Sequence, residues 1–346
     1  MEYDHSALGA AMIRRLPKAP LTAKGQIRLP AVPALLDEHV ERLTTLWSSI
    51  GRPFNQTDRA KLRDLLSKKL EEGFAKSAYA GVMINYETLE LPKTGLSYRL
   101  SLVVSSMADE YAGWVTTRTP PLFGSHPDAK VMDLARGLGA PSETPVLDIG
   151  AGTGRNTLPL ARAGHPTHAV EMSPALAQIL EKSIESEGLG VEVFAGNVLS
   201  DELALPRGHY RLIVAPEVVF HLRSLDEVRA FVRRGAELLA PGGLFLFDMF
   251  LAEEGYEPDP IARELSQAQW TTLYTRADLA SAVLGLELEA VSDESVHGYE
   301  QEHLAPEAWP PNGWFEGWVQ GTDLFDLPED ESPIDMRWLV FRRPLA

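Results

Sequence analysis

The chain has 346 residues, 45% of them hydrophobic, no cysteine, and a formal charge of −17 from 32 basic and 49 acidic side chains. That length accommodates two domains, or one domain with a large extension. The acid excess argues against a nucleic-acid partner and an anionic membrane surface, and the lack of cysteine excludes disulfides, thiolate metal sites and a cysteine nucleophile.

Residues 1–30 are expected to form an irregular arm, because Pro17, Pro20 and Pro30 interrupt any regular pattern. The start, Met1-Glu2-Tyr3-Asp4-His5, lacks the basic-then-apolar form of a signal peptide, and no apolar run reaches membrane-spanning length. A cytoplasmic protein without a membrane partner is therefore expected. Leu36, Val40, Leu43, Trp47 and Ile50 recur at helical spacing and predict a helix over 33–50, ended by Gly51-Arg52-Pro53. A second helix is predicted over 57–74, with Leu62, Leu65, Leu66 and Leu70 inward and Thr57 or Asp58 as its cap.

The period then changes. Residues 82–91 and 97–104 read as strands, and Pro92-Lys93-Thr94-Gly95 between them makes a hairpin. Tyr111 and Trp114 follow in a short aromatic stretch, and Ser125 with Asp128 gives an S-x-x-D start signal for a helix to about 138. The organisation expected is a mixed α+β N-terminal extension over 1–125 and a regular core over 126–346.

That core opens on Val146-Leu147-Asp148-Ile149-Gly150-Ala151-Gly152-Thr153-Gly154, a short buried strand running into a glycine turn with a helix after it. The glycines allow positive φ and close backbone approach to a ligand, and the helix start directs unpaired N–H groups at it. A dinucleotide fingerprint would need a third glycine at 155 or 157, where Arg155 and Thr157 stand. The pattern acid-x-Gly-x-Gly-x-Gly resembles motif I of the class I S-adenosylmethionine-dependent methyltransferases, completely across residues 146–154. A carboxylate also suits an ammonium and a sulfonium better than a pyrophosphate.

The resemblance implies a Rossmann-like, seven-stranded methyltransferase sheet with helices on both faces, S-adenosylmethionine as cofactor, and an N-terminal extension that caps the acceptor site. It implies that Asp148, Gly150, Ala151, Gly152 and Gly154 cradle the methionine part. Glu171, at the end of a strand over 167–170 and followed by Met172, takes the ribose hydroxyls. Asn197 stands where the family usually has aspartate; its side-chain oxygen keeps the acceptor for the adenine amino group, and Val198 supplies apolar contact. Tyr111 and Trp114 sit where related enzymes close over the cofactor, or else serve as plain core aromatics.

Further helices and strands alternate as a parallel sheet requires: helices over 155–163, 175–187 and 224–239, strands over 191–195, 210–215 and 244–249. Pro159 is odd inside the first of these helices, which starts nearer 157 if unkinked. Pro241-Gly242-Gly243 marks the turn before strand five, Thr275 with Asp278 a capping box, and residues 286–299 and 336–342 the last two strands. Between these strands, residues 301–335 hold Trp309, Trp314, Phe315, Trp318 and an acidic run over 326–331, either an acceptor-site lid or a packing strap.

Ligands of parallel sheets sit at the carboxyl ends of the strands, which puts Glu217 and His221 near the transferred methyl. His221 is the first candidate for a general base and Glu217 for orienting it or the acceptor. No metal ligation is expected, since the histidines show no ligand spacing. The acceptor expected is a small organic molecule, apolar or aromatic, of the specialised-metabolite (natural-product) kind. A protein or peptide acceptor, or a SAM-binding subunit without turnover, are the alternatives, and the N-terminal helices leave a homodimer open.

Overall fold

The computed structural model describes residues 5–15, 22–89, 95–328 and 331–345, so most of the expected hairpin turn (90–94) and part of the acidic run (329–330) lie outside the described residues. The chain divides into two compact units, Met1–Ser106 and Met107–Ala346.

The first unit holds helix α1 (His5–Arg15) and three antiparallel strands, β1 (Lys24–Pro30), β2 (Gly81–Thr88) and β3 (Leu96–Val103), in the order β1-β2-β3. The irregular arm expected over 1–30 is thus corrected. Lys24–Pro30 alternates Ile27 and Leu29 with Gln26 and Arg28, and its proline stands at the strand's last position, where it interrupts nothing. Helices α2 (Leu36–Ser49) and α3 (Gln56–Lys76) bury Val40, Leu43, Trp47, Leu62, Leu66 and Leu70 against Leu29, Val82 and Ile84 of the sheet. Asn55, not Thr57 or Asp58, caps α3: its side chain accepts the Asp58 N–H at 2.9 Å.

The second unit begins with α4 (Met107–Thr117) and α5 (Ala129–Gly137), and then alternates: β4 (Val146–Ile149), α6 (Thr157–Arg162), β5 (Thr167–Glu171), α7 (Pro174–Glu187), β6 (Val191–Ala195), β7 (Tyr210–Ala215), α8 (Leu225–Leu238), β8 (Leu239–Ala252). Next come α9 (Pro260–Gln267), β9 (Leu273–Tyr274), α10 (Arg276–Val283), β10 (Glu289–Ser295), α11 (Val296–His303), α12 (Phe315–Val319), α13 (Thr322–Phe325) and β11 (Ile334–Arg342). The helix carrying Tyr111 and Trp114 therefore belongs to this unit rather than to the N-terminal one.

Seven strands follow the order β10-β11-β8-β7-β4-β5-β6, and β9 adds to β8 off this path. Strands β4 to β8 pair in parallel, whereas β11 is antiparallel to both neighbours. The α/β class and the Rossmann-like sheet are as expected. Alternate residues of the central strands face opposite sides. Leu147, Ile213 and Phe245 meet α8 and α10 on one side, and Val146, Leu212 and Leu246 meet α5, α11 and α12 on the other. Both faces are buried, which is why these strands read as continuous apolar runs.

Two boundaries differ from expectation, and a third follows one of the two options the sequence left open. Pro241-Gly242-Gly243 is absorbed into β8 as an irregularity, since Tyr210 pairs with Leu239 but Leu212 with Leu244. The strand expected over 286–299 stops at Ser295, whose side chain accepts the Gly298 N–H at 3.3 Å and starts α11. The helix after the glycine turn starts at Thr157, which leaves Pro159 in its first turn, where the missing N–H costs nothing.

Candidate active site

The glycine turn lies at the carboxyl end of β4. Gly150, Gly152 and Gly154 have φ of +76°, +57° and +98°. Their surroundings differ. A Cβ at Gly150 would lie 2.5 Å from Val218 Cγ2, and one at Gly154 would lie 2.8 Å from Leu180 Cδ1. At Gly152 the nearest side-chain atom, on Phe123, would be 3.5 Å away. Gly150 and Gly154 thus serve packing, whereas at Gly152 a Cβ would make only ordinary van der Waals contact, with Phe123.

Glu171 reaches this turn from the end of β5. Its Oε2 accepts the Gly152 N–H at 2.7 Å and its Oε1 the Ser173 N–H at 2.6 Å. Burial raises its pKa, and those backbone donors, with that of Met172, offset part of the rise. These donors fix the carboxylate's orientation, and three donors on two oxygens still leave a lone pair for a ligand. Ala151 and Val198 are buried nearby, and Met172 is half-buried.

Asp148 is buried beneath the turn, where its Oδ2 accepts from Thr157 Oγ1 at 2.6 Å. Burial pushes its pKa up to about 7 against the Thr157 bond. It ties the strand's end to the start of α6. Asn197 is exposed, and its Oδ1 accepts the Leu199 N–H at 2.9 Å, closing a local turn with one of its two lone pairs.

Beyond the turn lies a buried charge cluster. The Arg155 guanidinium donates to Asp128 Oδ1 at 2.7 Å and to Glu217 Oε1 at 2.6 Å. Burial works against its charge, but the two carboxylates outweigh that and raise its pKa. Asn156 donates to Asp128 Oδ2 at 2.8 Å and accepts the Asp128 N–H at 2.9 Å. Glu217 has a φ of +57°, and its N–H donates to Asp248 Oδ2 at 2.7 Å. Asp248 is fully buried with its Oδ1 unpartnered, and burial holds its pKa well above the carboxylate range. Glu217 is therefore committed to an ion pair that positions the exit of β7. The helix expected from the Ser125–Asp128 signal starts only at Ala129, and Asp128, now at the N-cap position, makes no side-chain cap because its carboxylate is engaged by Arg155 and Asn156. Glu300 accepts the Ala129 and Lys130 N–H groups instead, at 2.7 and 3.1 Å.

His221 joins an aromatic group. Its Nε2 lies 2.9 Å from Tyr111 Oη. Tyr111 also meets Trp114, Phe123 and Trp270, with ring centroids 5.1, 5.9 and 5.6 Å away. Trp114 and Trp270 lie 5.0 Å apart, and Trp270 has a φ of +57°. Helix α4 packs on α7 and so carries Tyr111 and Trp114 to the carboxyl ends of the strands. Burial lowers the His221 pKa to about 3, so the ring is neutral near pH 7 and, so enclosed, a weak proton acceptor. Trp318, from the aromatic insertion, donates its Nε1–H to Trp270 O at 3.1 Å and packs on Phe220 and Phe250. Within this unit the insertion braces the wall that holds His221 and Trp270.

The structure brings Asp148, the glycines, Glu171 and the Tyr111–His221 pair together around the ends of β4, β5 and β7. The sequence reading missed Arg155, Asp128, Phe123, Trp270 and Glu300 as members of this region. Arg155, a charge directly after the glycine turn, was the one visible signal. Among the described residues no group of three or more acidic or histidine side chains is arranged to hold a metal ion.

Residues 146–243 match the family model of the methyltransferase domain. A demethylmenaquinone methyltransferase of Tropheryma whipplei is 29% identical over 106 residues, 31% of this chain and 41% of that protein. A ubiquinone biosynthesis O-methyltransferase of Azorhizobium caulinodans is 31% identical over 101 residues, 29% of this chain and 38% of that one. The matched part thus spans about two fifths of these relatives' length. A geranyl diphosphate C-methyltransferase of Streptomyces coelicolor A3(2), solved with Mg2+, geranyl diphosphate and S-adenosyl-L-homocysteine, superposes with a TM-score of 0.50. That match has 15% identity and covers 62% of this chain and 80% of that one, so it bears on the fold alone. The glycine turn on β4, the sheet order and the family model agree: residues 146–243 make up a methyltransferase domain of the class I S-adenosylmethionine-dependent superfamily.

Proposed function

We propose that this chain is an S-adenosylmethionine-dependent methyltransferase acting on a small organic acceptor with an aromatic or apolar body. The observation that carries the reading is the positive-φ glycine turn at Gly152, with the Glu171 carboxylate pinned beside it by the Gly152 and Ser173 N–H groups. This cradle fits a nucleoside with a free ribose diol next to a close backbone approach. Glu171 would hold the diol, Val198 and Asn197 the adenine, and Gly152 the chain leading to sulfur. Of the three carboxylates near the turn, Glu171 is the one placed for the ligand, since Asp148 is bonded to Thr157 beneath the turn and Glu217 is paired with Arg155. When bound, the cofactor supplies an activated methyl group.

The protein's part is orientation and exclusion of water. Tyr111, Trp114, Phe123 and Trp270 present ring faces and edges beside the turn, which suits a planar or apolar acceptor. The Tyr111–His221 pair offers the polar handle in this wall, to position an acceptor heteroatom. Glu217 positions the loop that carries His221, through Arg155 on one side and Asp248 on the other.

The test is a release assay for S-adenosylhomocysteine with a panel of phenols, indoles and isoprenoid acids, run beside a basic-peptide panel. Turnover with at least one small acceptor, abolished in Glu171→Ala, supports the reading. Turnover with peptides alone, or cofactor binding with no turnover on either panel, contradicts it.

A further inference from the structure

Arg118 follows α4 directly, and its guanidinium carbon lies 3.4 Å from the centroid of the Trp114 ring. Its backbone N–H still donates to Trp114 O at 2.9 Å, so the stack is built on the end of the helix that carries Tyr111. The chain has 49 acidic residues, yet among the described residues no carboxylate engages this guanidinium, and the Tyr111 phenol is the one titratable group that acts on it. The ring contact takes the guanidinium partly out of water, and this desolvation lowers its pKa. Arg118 is exposed, so the N–H groups around the edge of the stacked guanidinium are open to a ligand. A guanidinium takes a carboxylate through two parallel hydrogen bonds.

Resting on the functional reading above, we propose that the acceptor is a planar aromatic acid, with its ring against Tyr111, Trp114 and Trp270 and its carboxylate read by Arg118. Arg118 is then a specificity-determining residue. The net charge of −17 repels small acids in general, so a preference for an acid over its neutral amide has to come from a local cation.

The experiment uses full-length protein saturated with S-adenosylhomocysteine and two matched pairs of probes, 4-hydroxybenzoate with 4-hydroxybenzamide and indole-3-acetate with indole-3-acetamide. Calorimetry should show the acid of at least one pair binding at least tenfold more tightly than its amide. Arg118→Gln should bring that ratio to within twofold while its affinity for S-adenosylhomocysteine stays that of wild type, which also shows that the variant is folded. Equal binding of acid and amide, binding of neither, or a ratio that survives in Arg118→Gln overturns the proposal. Failure of the wild type to bind S-adenosylhomocysteine overturns the functional reading itself, so the two failures are told apart before any acceptor probe is added.

Discussion

Gly150 and Gly152 share a left-handed backbone but face different neighbours, and alanine should affect them differently. At either position a Cβ in that conformation costs about 1–2 kcal/mol. At Gly150 it also meets Val218 Cγ2 at 2.5 Å, and overpacking of this kind costs about 1–3 kcal/mol more. Gly150→Ala should thus be the more destabilised in urea denaturation, while Gly152→Ala stays closer to wild type yet binds S-adenosylhomocysteine at least tenfold more weakly. Equal stability loss with unchanged binding in both would contradict the assignment. His221 supplies a second prediction. Its folded pKa of about 3 lies below the ordinary 6.5 because burial disfavours the charged ring. Below about 6.5 the unfolded chain takes up a proton that the folded ring refuses until about 3, so wild type loses stability across that window as pH falls. His221→Gln, which keeps a hydrogen-bonding partner for Tyr111, should remove that part of the slope. Unfolding curves at pH 7.5, 6 and 5 test this, and parallel profiles for the two proteins would refute it. At this scale the glycines and Glu171 were legible because strand, turn and acid follow one another within 26 residues of sequence. The Arg155–Glu217 pair joins residues 62 apart and the Glu300–Ala129 bond residues 171 apart, and no local pattern reports such partners.

Helix α5 shows how a distant side chain fixes an element. Glu300 of α11 accepts the Ala129 and Lys130 N–H groups and the Trp338 Nε1–H, the last at 3.1 Å, all in a buried setting. Glu300→Ala leaves three donors unpaired, each at about 1–3 kcal/mol, whereas Glu300→Gln keeps an acceptor and should cost less. Denaturation midpoints ordered wild type, Gln, Ala are expected; a Glu300→Ala protein as stable as wild type would contradict the capping role. The Trp318–Trp270 bond makes a parallel case for the aromatic insertion. Trp318→Phe keeps the ring but removes the donor, and it should weaken acceptor-probe binding several-fold without changing S-adenosylhomocysteine affinity. The alternating strands and helices of the core were readable because both faces of the sheet are buried and each helix carries an apolar stripe. Elements α9 and α11 to α13 were not. They are short, and beside the local caps of α9 and α11 their hydrogen bonds and ring contacts run to β8, β11 and the exit of β7.

For the whole molecule, the claim is that the second unit binds a cationic nucleoside cofactor at the carboxyl ends of β4 and β5. The family match covers residues 146–243 and the cradle falls within it, whereas the aromatic wall draws Tyr111, Trp114, Phe123 and Trp270 from outside that span. Under the proposed function, cofactor recognition falls within the matched span and acceptor choice outside it. Among the described residues no helix is long and apolar enough to cross a membrane. Ligand binding to the folded state should raise stability by about 2.7 kcal/mol at a hundredfold excess over Kd, with a melting temperature that rises with ligand concentration. The most direct measurement is calorimetric titration of wild type, Gly152→Ala and Glu171→Ala with S-adenosylhomocysteine, with NAD as the control ligand. The account predicts one-to-one binding of S-adenosylhomocysteine by wild type, at least tenfold weaker in both variants, and none of NAD. Absence of binding by the folded wild type, or equal binding by all three proteins, would contradict it.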